Sequence, residues 1–189
     1  MSGLEGRAVK GLLCDITGVL RESCTGGDGI PIPGSIEAIR KLTDAGIIIK
    51  FVTNESQCTR KSLQEKLLRL GFSMPEESIM PPALAAREVI QKEKLRPHLL
   101  VHDSVLPDFD GLSTADPNCV VLGDAVEKFT YENLNQAFRL VKEKSCKLIS
   151  LGKGKYYRED GALTLDVGPF TAALEFASDQ GCIIMHINS

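Results

Sequence analysis

No stretch of this sequence reaches the roughly 18 consecutive apolar residues that a membrane-spanning helix requires. The opening residues, Met1-Ser2-Gly3-Leu4-Glu5-Gly6-Arg7, lack the apolar centre of a secretory signal. A soluble, cytoplasmic protein is the expectation, with no membrane partner. A charge excess is also missing. Lys plus Arg number 22 against 25 Asp plus Glu, leaving −3. That balance has no basic footprint for nucleic acid or an anionic surface, so no nucleic-acid partner is expected.

Paired metal or redox cysteines are absent too. The six cysteines, Cys14, Cys24, Cys58, Cys119, Cys146 and Cys182, never form a C-x-x-C. A disulfide framework does not suit a reducing compartment. Cys14 and Cys119 lie in or beside apolar runs and read as small buried hydrophobes. The histidines His98, His102 and His186 are scattered. His98 and His102 would share a face of a helix, but the Leu99-Leu100-Val101 run between them reads as a strand, so they read as strand-end residues.

What is present is an ordinary globular composition, 43% hydrophobic and 25% charged over 189 residues. That length suits one domain or two small ones. Val9 to Asp15 and Ile47 to Val52 are apolar runs of the kind buried in parallel sheets. Between them, Ile36, Ile39 and Leu42 recur at helical spacing, with Ser35 as the expected N-cap and Gly46 as the stop. This is a βαβ unit. Helices follow over Thr59 to Leu70, Ala83 to Lys94 and Thr130 to Glu143, and from Gly168-Pro169 to about Ala177. Strands are expected at Leu99–Val101, Cys119–Leu122 and Lys147–Leu151, with a turn-rich loop over Val105 to Asn118. The pattern is α/β, with two lobes parting near residue 78.

Two strand ends carry candidate chemistry. Asp15-Ile16-Thr17-Gly18-Val19-Leu20 follows the first strand, where open α/β sheets bind ligands. A carboxylate there can attack phosphorus or hold Mg²⁺ through oxygen. It can equally cap a turn, and the hexapeptide alone leaves both readings open. Thr53-Asn54-Glu55-Ser56 follows the second long strand. Its hydroxyl, amide and backbone N–H groups suit phosphoryl oxygens, and they suit an ordinary capping cluster as well.

Together, the two strand ends and the βαβ unit resemble motifs one and two of the haloacid dehalogenase superfamily of phosphatases. The runs LLCDITGVL, VTNESQ, PNCVVLGDA, LGKGKYY and LDVGPF narrow the likeness to a branch acting on P–N and P–O–P bonds. It covers about residues 9–178. The resemblance implies a Rossmann-like core with an inserted α/β cap: residues 1–78 as the N-terminal part of the core, 79–178 as the cap, and 179–189 as a divergent tail. It implies Mg²⁺ as cofactor and phosphohistidine, phospholysine or pyrophosphate as substrate. It further implies a cytosolic and nuclear location and a homodimer. Asp15 would be the nucleophile and a Mg²⁺ ligand, and Thr17 would give the metal a carbonyl. Asp15, Ile16 and Thr17 would line the phosphate site, and Thr53 and Asn54 would hold the phosphoryl group.

Position 17 departs from the wider superfamily, which usually has a second Asp there as general acid. A threonine hydroxyl does not titrate near neutral pH. Threonine is what the narrower branch carries, and it suits phosphoramidates, whose bridging nitrogen accepts a proton from solvent.

Weaker features remain. Gly26-Gly27-Asp28-Gly29 reads as a flap after motif one rather than a phosphate cradle, since it lacks the G-x-x-x-x-G-K-[ST] pattern. Lys153-Gly154-Lys155 reads as an anion contact or a solvated turn. Gly123-Asp124 mimics an acidic metal motif without its second carboxylate; by the resemblance it belongs to the cap, where it can face the substrate. The sequence has no Gly-Lys-Pro and no Asp-Asp, so the superfamily's later Lys and acidic pair are missing. A C-terminally truncated form with half a core sheet is therefore expected. It would have an exposed strand edge, weak Mg²⁺ binding and impaired activity. The alternative function is that of a binding or interfering partner of the full-length enzyme.

Overall fold

The computed structural model describes residues 9–22, 27–159 and 161–185. Cys24, Gly26 and His186 lie outside them. The chain divides into two compact units. The first holds residues up to Thr53 and Leu63–Met80; the second holds Asn54–Ser62 and residues from Pro81 onward.

In the first unit β1 (Gly11–Asp15) pairs in parallel with β4 (Ile48–Val52), which pairs in parallel with β5 (Ile79–Met80). A short antiparallel ribbon, β2 (Arg21–Glu22) with β3 (Ile30–Pro31), follows β1. The crossover from β1 to β4 runs through α1 (Ser35–Asp44), and α2 (Arg60–Arg69) lies between β4 and β5. β5 falls inside the turn-rich segment around residues 76–82. Two residues are too short to carry a periodic signal, which is why the sequence gives two strands here and not three.

Alternation within the sheet separates two faces. Cys14, Ile49 and Phe51 are buried, while Leu13 and Ile48 on the other face are 72% and 69% exposed. Leu63 and Leu67 of α2, spaced one turn apart, are fully buried, as is Ile39 of α1 at 5% exposure. β1 pairs only with β4 among the described residues, so its other edge is unpaired.

Ser35 is not the cap of α1. Gly34 occupies the cap position without a side-chain bond. Ser35 is the first helical residue and is buried; its hydroxyl donates to Leu20 O at 2.9 Å, so it ties the helix start to the loop after β1.

The second unit is three-layered. Its sheet is all parallel, in the order β11 (Cys182–Ile184), β8 (Lys147–Ser150), β7 (Cys119–Leu122), β6 (Pro97–Leu100). One face packs Val121 and Ile149 against Ala83, Ala86 and Ile90 of α3 (Pro82–Lys92) and against Val105 and Phe109. The other packs Val120, Leu122 and Leu148 against Ala137 and Val141 of α4 (Tyr131–Lys144) and Leu174 of α5 (Val167–Ser178). Burial on both faces explains why β7 reads as an unbroken apolar run.

Thr130 caps α4, accepting from Asn133 N–H at 3.1 Å. α5 starts one residue before Gly168-Pro169, because Asp166 accepts from Val167 N–H at 2.6 Å. The expected loop after Val105 begins instead as a 3₁₀ run over Asp103–Phe109, capped by His102. A hairpin of β9 (Tyr156–Glu159) and β10 (Ala162–Leu165) has no counterpart in the sequence reading. Residues Cys182–Ile184, within the expected tail, complete the sheet as β11. No helix among the described residues is long and apolar enough to cross a membrane.

Candidate active site

Asp15 is the last residue of β1 and lies opposite Val52 of β4 in the parallel ladder. Asp15 and Thr53 therefore leave the sheet at the same carboxyl edge. Asp15 is half-buried, and its Oδ1 accepts from Ile16 N–H at 2.7 Å, which fixes the plane of the carboxylate. Thr53 is buried at 2% exposure.

The loop after Asp15 turns sharply on itself. Ile16 is fully buried, and its carbonyl accepts from Leu20 N–H at 2.8 Å and Arg21 N–H at 3.2 Å. Gly18 sits at φ +83°, where a side chain would be strained, and its N–H donates to Arg21 O at 2.9 Å. Thr17 is exposed at the tip and bridges to Arg21. Thus Asp15, Ile16, Thr17 and Thr53 are gathered in the first unit. Asn54, next along the chain, is exposed and is the first residue of the second unit.

Burial pushes the Cys14 thiol up, and the neighbouring Asp15 charge adds to this. Cys14 is a packed hydrophobe beside the site. Asp15 and the Thr17 carbonyl are oxygen donors of the kind Mg²⁺ takes. One carboxylate plus phosphate and water is a usual Mg²⁺ arrangement. Among the described residues no group of three or more His, Cys, Asp or Glu side chains could hold a metal alone. The donor set fits a metal shared with a bound phosphate.

Around the expected flap, Asp28 receives two bonds from Arg69, 2.6 Å from Nε and 2.8 Å from Nη2. The Arg69 hydrogen bond holds the Asp28 carboxyl below its usual range. Arg21 is buried at 4% exposure and donates to Asp28 O at 3.0 Å. Nothing in the sequence marks Arg21 as buried; only the return of the ribbon over it does so. Lys153 and Lys155 are exposed in the second unit, and Asp124 is buried there. Gln57 closes the motif-two run and bonds Asp124, a pairing no local pattern signals.

The sequence profile of haloacid dehalogenase-like hydrolases matches residues 12–112. The chain is 42% identical over 179 residues to human haloacid dehalogenase-like hydrolase domain-containing protein 2, covering 95% of this chain and 67% of that protein. The chain belongs to the haloacid dehalogenase-like hydrolase family. Within it, a zebrafish relative named phospholysine phosphohistidine inorganic pyrophosphate phosphatase is 49% identical over 174 residues, 92% of this chain. The chain spans 64% of that relative's length. The fold also resembles p-nitrophenyl phosphatase from Archaeoglobus fulgidus, at TM-score 0.83 and 23% identity over 94% of this chain and 68% of that one. The α/β architecture with parallel sheets is thus the family's Rossmann-like core fold.

Proposed function

We propose that this chain carries the nucleophile of a Mg²⁺-assisted phosphatase acting on P–N and P–O–P bonds, in phosphohistidine, phospholysine or pyrophosphate. The observation that carries this reading is Asp15 at the carboxyl end of β1, oriented by Ile16 N–H at 2.7 Å. The names of relatives 45–49% identical to this chain support the substrate class.

In this reading Asp15 Oδ2 attacks phosphorus. An Oδ2–P bond forms as the bond to the leaving nitrogen or oxygen breaks. Water then attacks the aspartyl-phosphate, releasing phosphate and restoring Asp15. Thr53 and Asn54 hold the transferring phosphoryl oxygens, and the backbone from Asp15 to Thr17 lines the pocket. Asp15 and the Thr17 carbonyl would hold Mg²⁺, which when bound offsets charge on the phosphoryl oxygens. Thr17 donates no proton, so the leaving group takes one from solvent, which favours basic phosphoramidate nitrogen. Cytosolic and nuclear location and homodimer formation belong to the same reading.

A second reading is that of a binding partner without turnover, which the sequence favours through its lack of a Gly-Lys-Pro turn and of an Asp-Asp pair. Phosphate release from pyrophosphate and a phosphoramidate with Mg²⁺, against Asp15→Asn as the blank, separates the two. Release well above the blank supports the enzyme; equality with the blank overturns it and leaves the binding reading.

A further inference from the structure

Gln57 is held twice over within the second unit. Its side-chain amide donates to Asp124 Oδ2 at 2.6 Å and to the Tyr157 hydroxyl at 3.3 Å. Its backbone carbonyl accepts from Ser104 Oγ, and its N–H donates to Glu55 Oε1 at 2.8 Å. Ser104 is in turn seated by His102, 2.7 Å from Nδ1 to Oγ. Three residues further on, Arg60 N–H donates to Asp108 Oδ2 at 3.3 Å. These ties account for the membership of residues 54–62 in the second unit, although Thr53 and Leu63 on either side belong to the first.

Asp124 is the costly member of the set. It is 4% exposed, and a buried carboxylate needs donors or a cation to offset its lost hydration. Among the described residues its side chain has the neutral Gln57 amide as donor and no ion-pair partner. It stands at the end of β7 behind Gly123, where a Cβ would come within 3.0 Å of Leu151 Cδ1. Two residues later Val126 lies at φ 48°, a conformation β-branched residues avoid. Burying an acid on one neutral donor beside strained backbone gains little stability. It does fix one side chain, Gln57, in one place.

We infer that Asp124 and Gln57 are positioning residues for the segment that carries Asn54. The Asp124 carboxylate orients the Gln57 amide, and Gln57 sets the path of residues 54–57. That path decides where the Asn54 amide meets a phosphoryl oxygen. The inference rests on the proposed role of Asn54 in holding that group. In this inference Asp124 and Gln57 act through Asn54. An amide at position 124 still offers an acceptor to Gln57, so Asp124→Asn keeps the latch and Asp124→Ala removes it.

The test titrates inorganic phosphate with Mg²⁺ into the full chain, follows the Asn54 amide signals by NMR, and measures phosphate release in parallel. Losing a hydrogen bond to a charged group predicts about tenfold weaker phosphate binding and about tenfold higher KM in Asp124→Ala. The same estimate leaves kcat within about threefold, and Asp124→Asn within about threefold of wild type throughout. Phosphate binding by Asp124→Ala within about twofold of wild type overturns the inference, as does an Asp124→Asn defect equal to that of Asp124→Ala. If the wild-type chain binds no phosphate, the functional reading fails on its own, and hydrogen exchange judges the latch. Amides 54–57 should then exchange about tenfold faster in Asp124→Ala while β7 stays protected. Unchanged exchange overturns the latch. Gln57→Ala, a half-buried loop side chain, gives the same readouts should Asp124→Ala fail to fold.

Discussion

Asp15 and Val52 are partners in a parallel ladder, so Asp15 and Thr53, the residue after Val52, leave the sheet at the same carboxyl edge. Strand register, and not a loop, sets the proposed nucleophile and a proposed phosphoryl-holding residue at one edge. Asp15→Asn keeps the size of the side chain, and its carbonyl oxygen can still accept from Ile16 N–H. The variant should fold with an unchanged circular dichroism spectrum. It should also release no phosphate from pyrophosphate or a phosphoramidate above the no-enzyme rate in a colorimetric assay.

Thr17 stands exposed at the tip of the Gly18 turn, where a wider family pattern has a proton donor. Thr17→Asp should raise kcat/KM for a phosphate monoester relative to a phosphoramidate, by about tenfold or more on the usual scale of acid catalysis. The ratio of the two kcat/KM values is the measurement; an unchanged ratio rejects the solvent-protonation account.

Leu13 and Phe51 sit on opposite faces of the first sheet. Phe51 is 2% exposed, and Phe51→Ala should cost about 3–5 kcal/mol by cavity formation. Leu13, 72% exposed, has little to lose, and Leu13→Ser should stay within about 0.5 kcal/mol. Urea unfolding of both variants checks the contrast. Equal losses would mean that the Leu13 face is covered in solution.

Gly29 lies at φ +92°, and a Cβ there would fall 2.4 Å from Glu22 O and 2.7 Å from Arg21 Nη1. Gly29→Ala should therefore open the β2–β3 ribbon and expose the buried Arg21 guanidinium. Faster hydrogen exchange at Glu22 and Ile30, which pair across the ribbon, is the expected signature.

His98 is half-buried, and burial pushes its ring below the ordinary value of 6.5. The native state then binds fewer protons than the unfolded chain, so stability is lost as pH falls from 6.5 toward the lower native value. Replacing His98 with Gln should flatten the fall in Tm between about pH 7 and pH 5. Calorimetric scans across that range check it.

The sequence by itself determined the βαβ unit, the helices with their apolar stripes, and the two strand ends that bear Asp15 and Thr53. Each of these is written in a local period or a short run, and burial on both faces made β7 plain. The sequence also held the likeness that placed the chain in its family. Only the tertiary structure showed that β5 joins β1 and β4, that Ser35 binds Leu20 O instead of capping its helix, and that Cys182–Ile184 completes a sheet. It alone brought Gln57 to Asp124 across 67 positions and buried Arg21 beneath the ribbon. The physical reason is common to all of these. A helix face or a strand run repeats within a few residues, whereas a two-residue strand, a buried charge and a long-range hydrogen bond have no period. They exist only once distant segments have packed.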